Sequence, residues 1–314
     1  MSAGERVLVT GARGALGHHV ARLLVDRGAD VYGTRRSSLK SGPSEPPVRW
    51  LQCDLRHMGD VRAAVRESKP SRVVHAAGLA GAADLAALVE ANVTALANLL
   101  AALSETKLER LVIIGSAAEY ATTDSPESIR EDHPLAPSNE YGLSKLFQYE
   151  LGRLAFRRGT PVVYARPFNV VGPGAPPATA VGDISRRLAR LVHDGGSGAL
   201  QVGDLNKWRD YVDVRDVANA CVILLQRAAP GSTFNVCSGV PIRLAEVVEM
   251  LLAIAGKHIA LHHVEHSDSV NFQVGDASGI RVLGWVPEYD LETSLRDGFT
   301  SELRQLEPSR PPAS

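Results

Sequence analysis

Cysteine is scarce: Cys53, Cys221 and Cys237 are the only three, odd in number and far apart. They supply neither a disulfide framework nor a C-x-x-C metal or redox pair, and read as small buried hydrophobes. An excess of one charge is also missing. Lys and Arg total 34 and Asp and Glu 35, a net of −1. No global basic field therefore exists to hold nucleic acid or an anionic membrane, and any anion must be bound locally. No apolar run approaches eighteen residues, and MSAGERVLVTG lacks the apolar stretch of a signal peptide, so cytoplasmic residence is the expectation. Asn92-Val93-Thr94 matches a glycosylation sequon that is expected to go unused. There is no internal repeat. What remains is an ordinary globular composition, 45% hydrophobic and 22% charged, over a length that suits about two domains.

Between residues 5 and 168 short β-branched runs alternate with Ala/Leu-rich stretches of helical period. The runs at 6–10, 31–34, 49–53, 72–76, 110–115 and 161–165 are near-continuously apolar, as strands covered on both faces require. The alternation predicts an α/β protein with a parallel sheet and right-handed crossovers. Within 86–104, Val89, Val93, Leu96, Leu100 and Leu103 form a helical apolar stripe suited to the sheet or to a partner subunit. After Asn169 the Gly/Pro-rich VGPGAPPATAVG leaves regular structure. Helical pattern resumes at 183–193, 214–228 and 242–255, with a strand at 233–237.

Gly11-Ala12-Arg13-Gly14-Ala15-Leu16-Gly17 follows the first strand and opens a helix. Glycines at this spacing permit a tight turn in which backbone N–H groups approach a pyrophosphate, and the helix N-terminus favours the anion. The fold class is thus a Rossmann-type doubly wound parallel sheet. Where the second strand of an NAD site usually supplies an acid, this chain has Arg35-Arg36, with Arg13 in the turn itself. Guanidinium pairs bidentately with phosphate, so NADPH, with its 2′-phosphate, is favoured over NADH or NAD. Asp54-Leu55 after the third strand suits the adenine amino group, and Ala76-Ala77-Gly78 after the fourth leaves room for the cofactor. His75 reads as a packed residue.

Tyr141 and Lys145 stand four apart, on one face of a helix, and Ser116 ends the fifth strand at the sheet's ligand-binding edge. A nearby ammonium is expected to lower the tyrosine pKa toward the range of acid–base work. At this point the chain resembles the extended short-chain dehydrogenase/reductases, the NAD-dependent epimerase/dehydratase family. Beyond TGARGALG and YGLSK, the resemblance runs through GSAAEY, ARPFNVVGPG, VGDLNKWRDYVDVRDVANA, FNVCSG and GDASGIRVLGW. Within that family the motifs look most like those of the GDP-4-keto-6-deoxymannose reductases, which form GDP-rhamnose.

The resemblance implies that Tyr141 is the proton donor, Lys145 binds the nicotinamide ribose and tunes Tyr141, and Ser116 bonds the reacting carbonyl. It places Arg166 near the nicotinamide and Ala117, Asn169, Trp208 and Arg209 at the substrate. It also implies a homodimer through the 86–104 and 141–158 helices. The corresponding division is 1–170 plus about 210–237 for the cofactor and about 171–209 plus 238–306 for a smaller mixed α/β substrate unit, with a disordered 307–314 tail. The expected reaction is NADPH-dependent reduction of a nucleotide-linked 4-keto-6-deoxyhexose, with an NAD-dependent 4-epimerase as the alternative. A non-catalytic, cofactor-sensing protein would commonly lose the Tyr/Lys pair kept here.

Two departures matter. The family's 4,6-dehydratases place acid–base residues directly after the active-site Thr or Ser, where this chain has Ala117 and Ala118; Glu119 comes one position late and, along an extended chain, would face away. Glu265-His266-Ser267-Asp268 stands where the reductases carry Arg-Pro-x-Asp, putting an acid where a guanidinium should meet a diphosphate. Tyr120-Ala121 replaces Tyr-Gly. His258, His262, His263 and His266 cluster in sequence, but β-branched neighbours suit a strand, so no metal is expected.

Overall fold

The computed structural model describes residues 4–36, 48–81, 84–176, 178–196, 198–264 and 272–307. The chain opens with β1 (Arg6–Thr10), α1 (Ala15–Asp26), β2 (Asp30–Arg35), β3 (Arg49–Gln52), α2 (Met58–Ser68) and β4 (Arg72–His75). A helix in three parts follows, α3 (Leu85–Leu88), a π-helical turn (Val89–Thr94) and α4 (Ala95–Leu103), and then β5 (Arg110–Ile114). A 3₁₀ turn (Ala117–Glu119) leads to α5 (Glu140–Arg157), β6 (Val162–Pro167), β7 (Asn169–Val171), α6 (Ala180–His193) and β8 (Ala199–Val202). Next come β9 (Trp208–Arg209), β10 (Tyr211–Asp213), α7 (Val214–Arg227), β11 (Thr233–Val236), β12 (Ile242–Arg243) and α8 (Leu244–Ala255). The last elements are β13 (Ala260–His263), β14 (Phe272–Gln273), α9 (Ser278–Arg281) and α10 (Leu291–Leu306).

The sheet runs β3-β2-β1-β4-β5-β6-β11, parallel throughout. All six apolar runs read from the sequence are in it, joined by β11. Alternation along β1 explains the two cores: Val7 and Val9 pack with Val20 and Leu24 of α1 and Leu224 of α7, while Leu8 packs with Val65 of α2 and Leu96 and Leu99 of α4. The strand order reverses between β1 and β4, and the crevice beyond the strand C-termini at that point is where a doubly wound sheet takes its ligand.

A third core joins α6, α8 and α10 through Leu188, Val247, Leu251 and Phe299. Ala277, Ile280 and Trp285, although within 238–306, pack in the first core, where the Trp285 indole donates to the Asp216 carbonyl at 3.0 Å.

The 86–104 stripe is offset from its sequence reading. Leu88, Leu96, Leu99 and Leu103 are buried, whereas Val89, Val93 and Leu100 are only half-buried. The cause is the π-helical turn, whose wider winding rotates the residues before it relative to those after it. By length and composition Leu85–Leu103 is apolar enough to cross a membrane, but its buried face is part of the second core.

Asn92 of the sequon is fully buried. The three cysteines are buried and free. His262 lies on strand β13, and His266 and the Glu265–Asp268 run fall outside the described residues. Among the described residues no group of three or more His, Cys, Asp or Glu side chains is placed to hold a metal ion.

Candidate active site

Close backbone approach dictates the turn after β1. Gly11 has φ +68°, and a Cβ there would lie 2.7 Å from the Ala77 Cα, while one on Gly17 would lie 2.2 Å from the Gly11 carbonyl oxygen. Only glycine satisfies both positions. The Gly11 N–H donates to Thr34 Oγ1 at 3.1 Å and the Gly14 N–H to the Gly11 carbonyl at 2.8 Å. Helix α1 then starts with no side-chain cap and no acid in its first turn, so its positive end is available to an anion.

A cleft of about 630 Å³ opens there, lined by Gly11, Arg13, Gly14, Thr34, Arg35, Arg36, Asp54, Leu55, Ala76, Ala77 and Gly78, with Arg56 and Glu90 across from them. Ala15, Leu16 and Gly17, which begin α1, are not part of this lining. Arg35 lies over the Trp50 ring, 5.3 Å from its centroid. Arg56, which the sequence reading passed over, binds Asp54 through Nε at 3.0 Å and Nη2 at 2.6 Å, holding that carboxyl down at about 2. Asp54 is therefore ionised and already oriented. The shape and the four arginines fit a dinucleotide, and the chemistry it would supply is hydride transfer.

The second half of the site assembles where α5 meets the turn after β5. A Cβ on Gly142 would fall 2.2 Å from the Ala118 carbonyl oxygen, so glycine at 142 is what lets the N-terminus of α5 close on that turn. Asn139 caps the helix, accepting from the Gly142 N–H at 2.8 Å. Tyr141 and Ser116 are thereby brought into hydrogen-bonding contact. Burial pushes the Tyr141 phenol up to about 12, the Ser116 bond pulls it down, and the negative charge of Glu119 adds to the rise.

The expected lowering of Tyr141 by Lys145 is corrected. The Lys145 ammonium donates to the Ile114 carbonyl at 3.0 Å and to Gln148 Oε1 at 2.9 Å, and burial lowers its own pKa to about 8. Tyr141 consequently keeps its proton at neutral pH. His75, as read from the sequence, is packed: it shares a 2.9 Å hydrogen bond with Thr10, and burial, aided by the Lys145 charge, drives its pKa to about 3.

Glu119 and Arg166 also correct the sequence reading. The chain after Ser116 is a 3₁₀ turn, not an extended strand, so Glu119 folds back under Ser116 in a capping box. Its Oε1 accepts from the Ser116 N–H at 2.8 Å and from the Tyr164 hydroxyl at 3.0 Å, and its Oε2 from Arg166 Nε at 2.7 Å. Arg166 is fully buried and stacks 4.3 Å from the Tyr149 ring centroid. Its guanidinium is thus a structural partner of Glu119 and not a cofactor ligand. Replacing Glu119 by Leu strands this buried cation, and a loss of about 3–5 kcal/mol in unfolding free energy is expected by urea titration; a change under about 1 kcal/mol would show that the pair does not support the site.

On the substrate side, Ala117 is buried with its carbonyl accepting from Gln273 at 3.0 Å. Asn169, on β7, donates to the Asp210 carbonyl at 2.9 Å. Arg209 on β9 is half-buried and donates to the Trp208 carbonyl at 2.7 Å. Neither Asp210 nor Asp213 pairs with it: Asp210 accepts from Ser238, Gly239 and Gly275, and Asp213 holds Arg215. The Trp208 ring is partly exposed, with Arg243 stacked on it at 5.6 Å.

Fold and site together define an NAD(P)-dependent oxidoreductase of the Rossmann type. The chain belongs to the NAD dependent epimerase/dehydratase family, whose profile matches residues 7–237. It is 28% identical to the GDP-6-deoxy-D-mannose reductase of Pseudomonas aeruginosa, over 93% of this chain and 95% of that protein. It is 31% identical to a dTDP-4-dehydro-6-deoxy-D-allose reductase of a Streptomyces species, over 81% of this chain and 82% of that one. The structure of RMD from Pseudomonas aeruginosa complexed with NADPH superposes with a TM-score of 0.80 at 25% identity, covering 96% of this chain and 99% of the other.

Proposed function

We propose that the protein reduces a nucleotide-linked 4-keto-6-deoxyhexose, of the GDP-4-keto-6-deoxymannose type, with NADPH. The observation that carries this reading is the pairing of a protonated, half-buried Tyr141 in contact with Ser116 with alanine at 117 and 118. That arrangement donates one proton to a carbonyl and has no second acid–base pair for eliminating water. Residues of the cleft would hold the cofactor, whose chemistry there would be hydride transfer to the carbonyl carbon. Ser116 holds the oxygen on which charge develops, Tyr141 gives its phenolic proton to that oxygen, and Lys145 holds the nicotinamide ribose. Arg13, Arg35 and Arg36 favour the 2′-phosphate, while Asn169, Trp208 and Arg209 face the sugar nucleotide. The similarity to sugar-nucleotide 4-ketoreductases supports the substrate class. A homodimer through the helices at 86–104 and 141–158 belongs to the same reading.

The direct test of the chemistry is label transfer. With NADPH deuterated at the transferring position of the nicotinamide C4, deuterium is expected at C4 of the product sugar; label-free product contradicts direct hydride delivery. The pH dependence is a second test. Because the Lys145 charge is present below its pKa of about 8 and Tyr141 stays protonated to about 12, kcat/KM for NADPH is expected to fall above about pH 8. A profile flat to pH 10 would show that the Lys145 charge is not used.

A further inference from the structure

The buried face of α5 is polar where a helix packed on a sheet is ordinarily apolar: Ser144, Lys145 and Gln148 are all buried. Gln148 is fully inaccessible, and both ends of its amide are committed. Its Oε1 accepts from Lys145 Nζ at 2.9 Å, and its Nε2 donates to the Asn92 carbonyl at 3.2 Å. Asn92 sits in the π-helical turn and is itself tied down, donating from Nδ2 to Ser144 Oγ at 2.9 Å and accepting from the Leu79 N–H at 2.8 Å. Of the three ammonium N–H groups, one meets the Ile114 carbonyl and one meets Gln148. On the open side is Gly78, where a Cβ would stand 3.5 Å from Nζ, and Gly78 lines the cofactor cleft.

We propose that Gln148 is a positioning residue: it ties the Lys145 ammonium to the Asn92 carbonyl and aims the remaining N–H past Gly78 into the cofactor cleft. The inference rests on the proposed role of Lys145 toward the cofactor. A carboxamide is the neutral side chain that accepts from an ammonium with one end and donates to a carbonyl with the other. A carboxylate in its place adds a charge and loses the donor; a thioether leaves the ammonium N–H and the carbonyl without strong partners. Neutrality matters because of what else acts on Lys145: His75 on β4, Glu119 on the 3₁₀ turn, and Tyr164 on β6, whose hydroxyl donates to the Lys145 carbonyl. His75 is neutral, and Glu119, although paired with Arg166, already raises the ammonium's pKa against the larger effect of burial, so a second negative charge at position 148, in direct contact with it, would raise it further.

The test is NADPH binding to the whole protein, followed by nicotinamide fluorescence from pH 6 to 10, for the native protein, Gln148→Glu and Gln148→Met. The native midpoint is expected near the Lys145 pKa of about 8. Gln148→Glu should move it up by about one pH unit or more, and Gln148→Met should raise the NADPH Kd at pH 7 by about tenfold and move the midpoint down. A merely structural role would lower thermal stability and leave the midpoints in place. Unchanged midpoints and affinities in both variants would overturn the proposal. Gln148→Glu, equal in size to the native residue, decides the matter alone if Gln148→Met does not fold. If the native protein reduces no sugar nucleotide, the proposed function fails separately, and the NADPH titration still reads the Gln148 clamp.

Discussion

Tyr141→Phe is expected to lower kcat by about 10²–10⁴-fold, the usual contribution of a positioned general acid, while NADPH affinity changes by less than about twofold. The phenol sits at the Ser116 contact, with burial holding its proton to about pH 12. Removing one oxygen therefore deletes the proton donor without disturbing the glycine turn or the arginines. Stopped-flow measurement of nicotinamide oxidation reads the chemical step, and fluorescence titration reads binding. A kcat within about tenfold of native would dismiss Tyr141 as the acid. The comparison with Ser116→Ala is informative, because Ser116 also caps the 3₁₀ turn by accepting from the Ala118 N–H at 3.1 Å. That variant should lose activity and a measurable part of its stability together.

The second large effect concerns the choice of cofactor. Arg35→Ala combined with Arg36→Ala is expected to raise the KM for NADPH by about 10²-fold and leave that for NADH within about threefold. Two guanidinium bonds to one phosphate contribute about 3 kcal/mol, and each 1.4 kcal/mol is about tenfold. Both side chains line the cleft beside Arg13 and Gly11. Arg35 also stacks on Trp50, so Arg36→Ala alone separates phosphate recognition from this packing contact. Equal losses with NADH and NADPH would mean that the arginines shape the cleft without reading the 2′-phosphate.

Much of this site was legible in the sequence because it depends on local geometry. Strands covered on both faces, as in β1, β2, β4, β5 and β6, must be near-continuous apolar runs, whereas edge strand β3 is exposed at Arg49 and Gln52; and a turn as tight as Gly11–Gly17 admits only glycine at its contact points. Helical spacing put Tyr141 and Lys145 near one another. It did not give the direction of the ammonium, because that is set by Ile114, from another strand, and by Gln148, whose neutral side chain carries no sequence signal. Glu119 was misjudged for a related reason. Three residues of 3₁₀ helix reverse the facing that an extended chain would have, and the partner that holds Glu119 buried, Arg166, lies 47 residues away. Asn92 was read only as a sequon. Its interruption of an apolar helix was the available sign that the polar group has a buried partner, here Ser144, 52 residues on.

The central claim is tested most directly by mixing the purified protein with NADPH and GDP-4-keto-6-deoxymannose and following nicotinamide absorbance. The expected result is oxidation of one NADPH per sugar reduced, dependent on added cofactor and slowed by about 10²-fold or more in Tyr141→Phe. Absence of turnover with this substrate and with the dTDP-, UDP- and CDP-linked 4-keto sugars would contradict it.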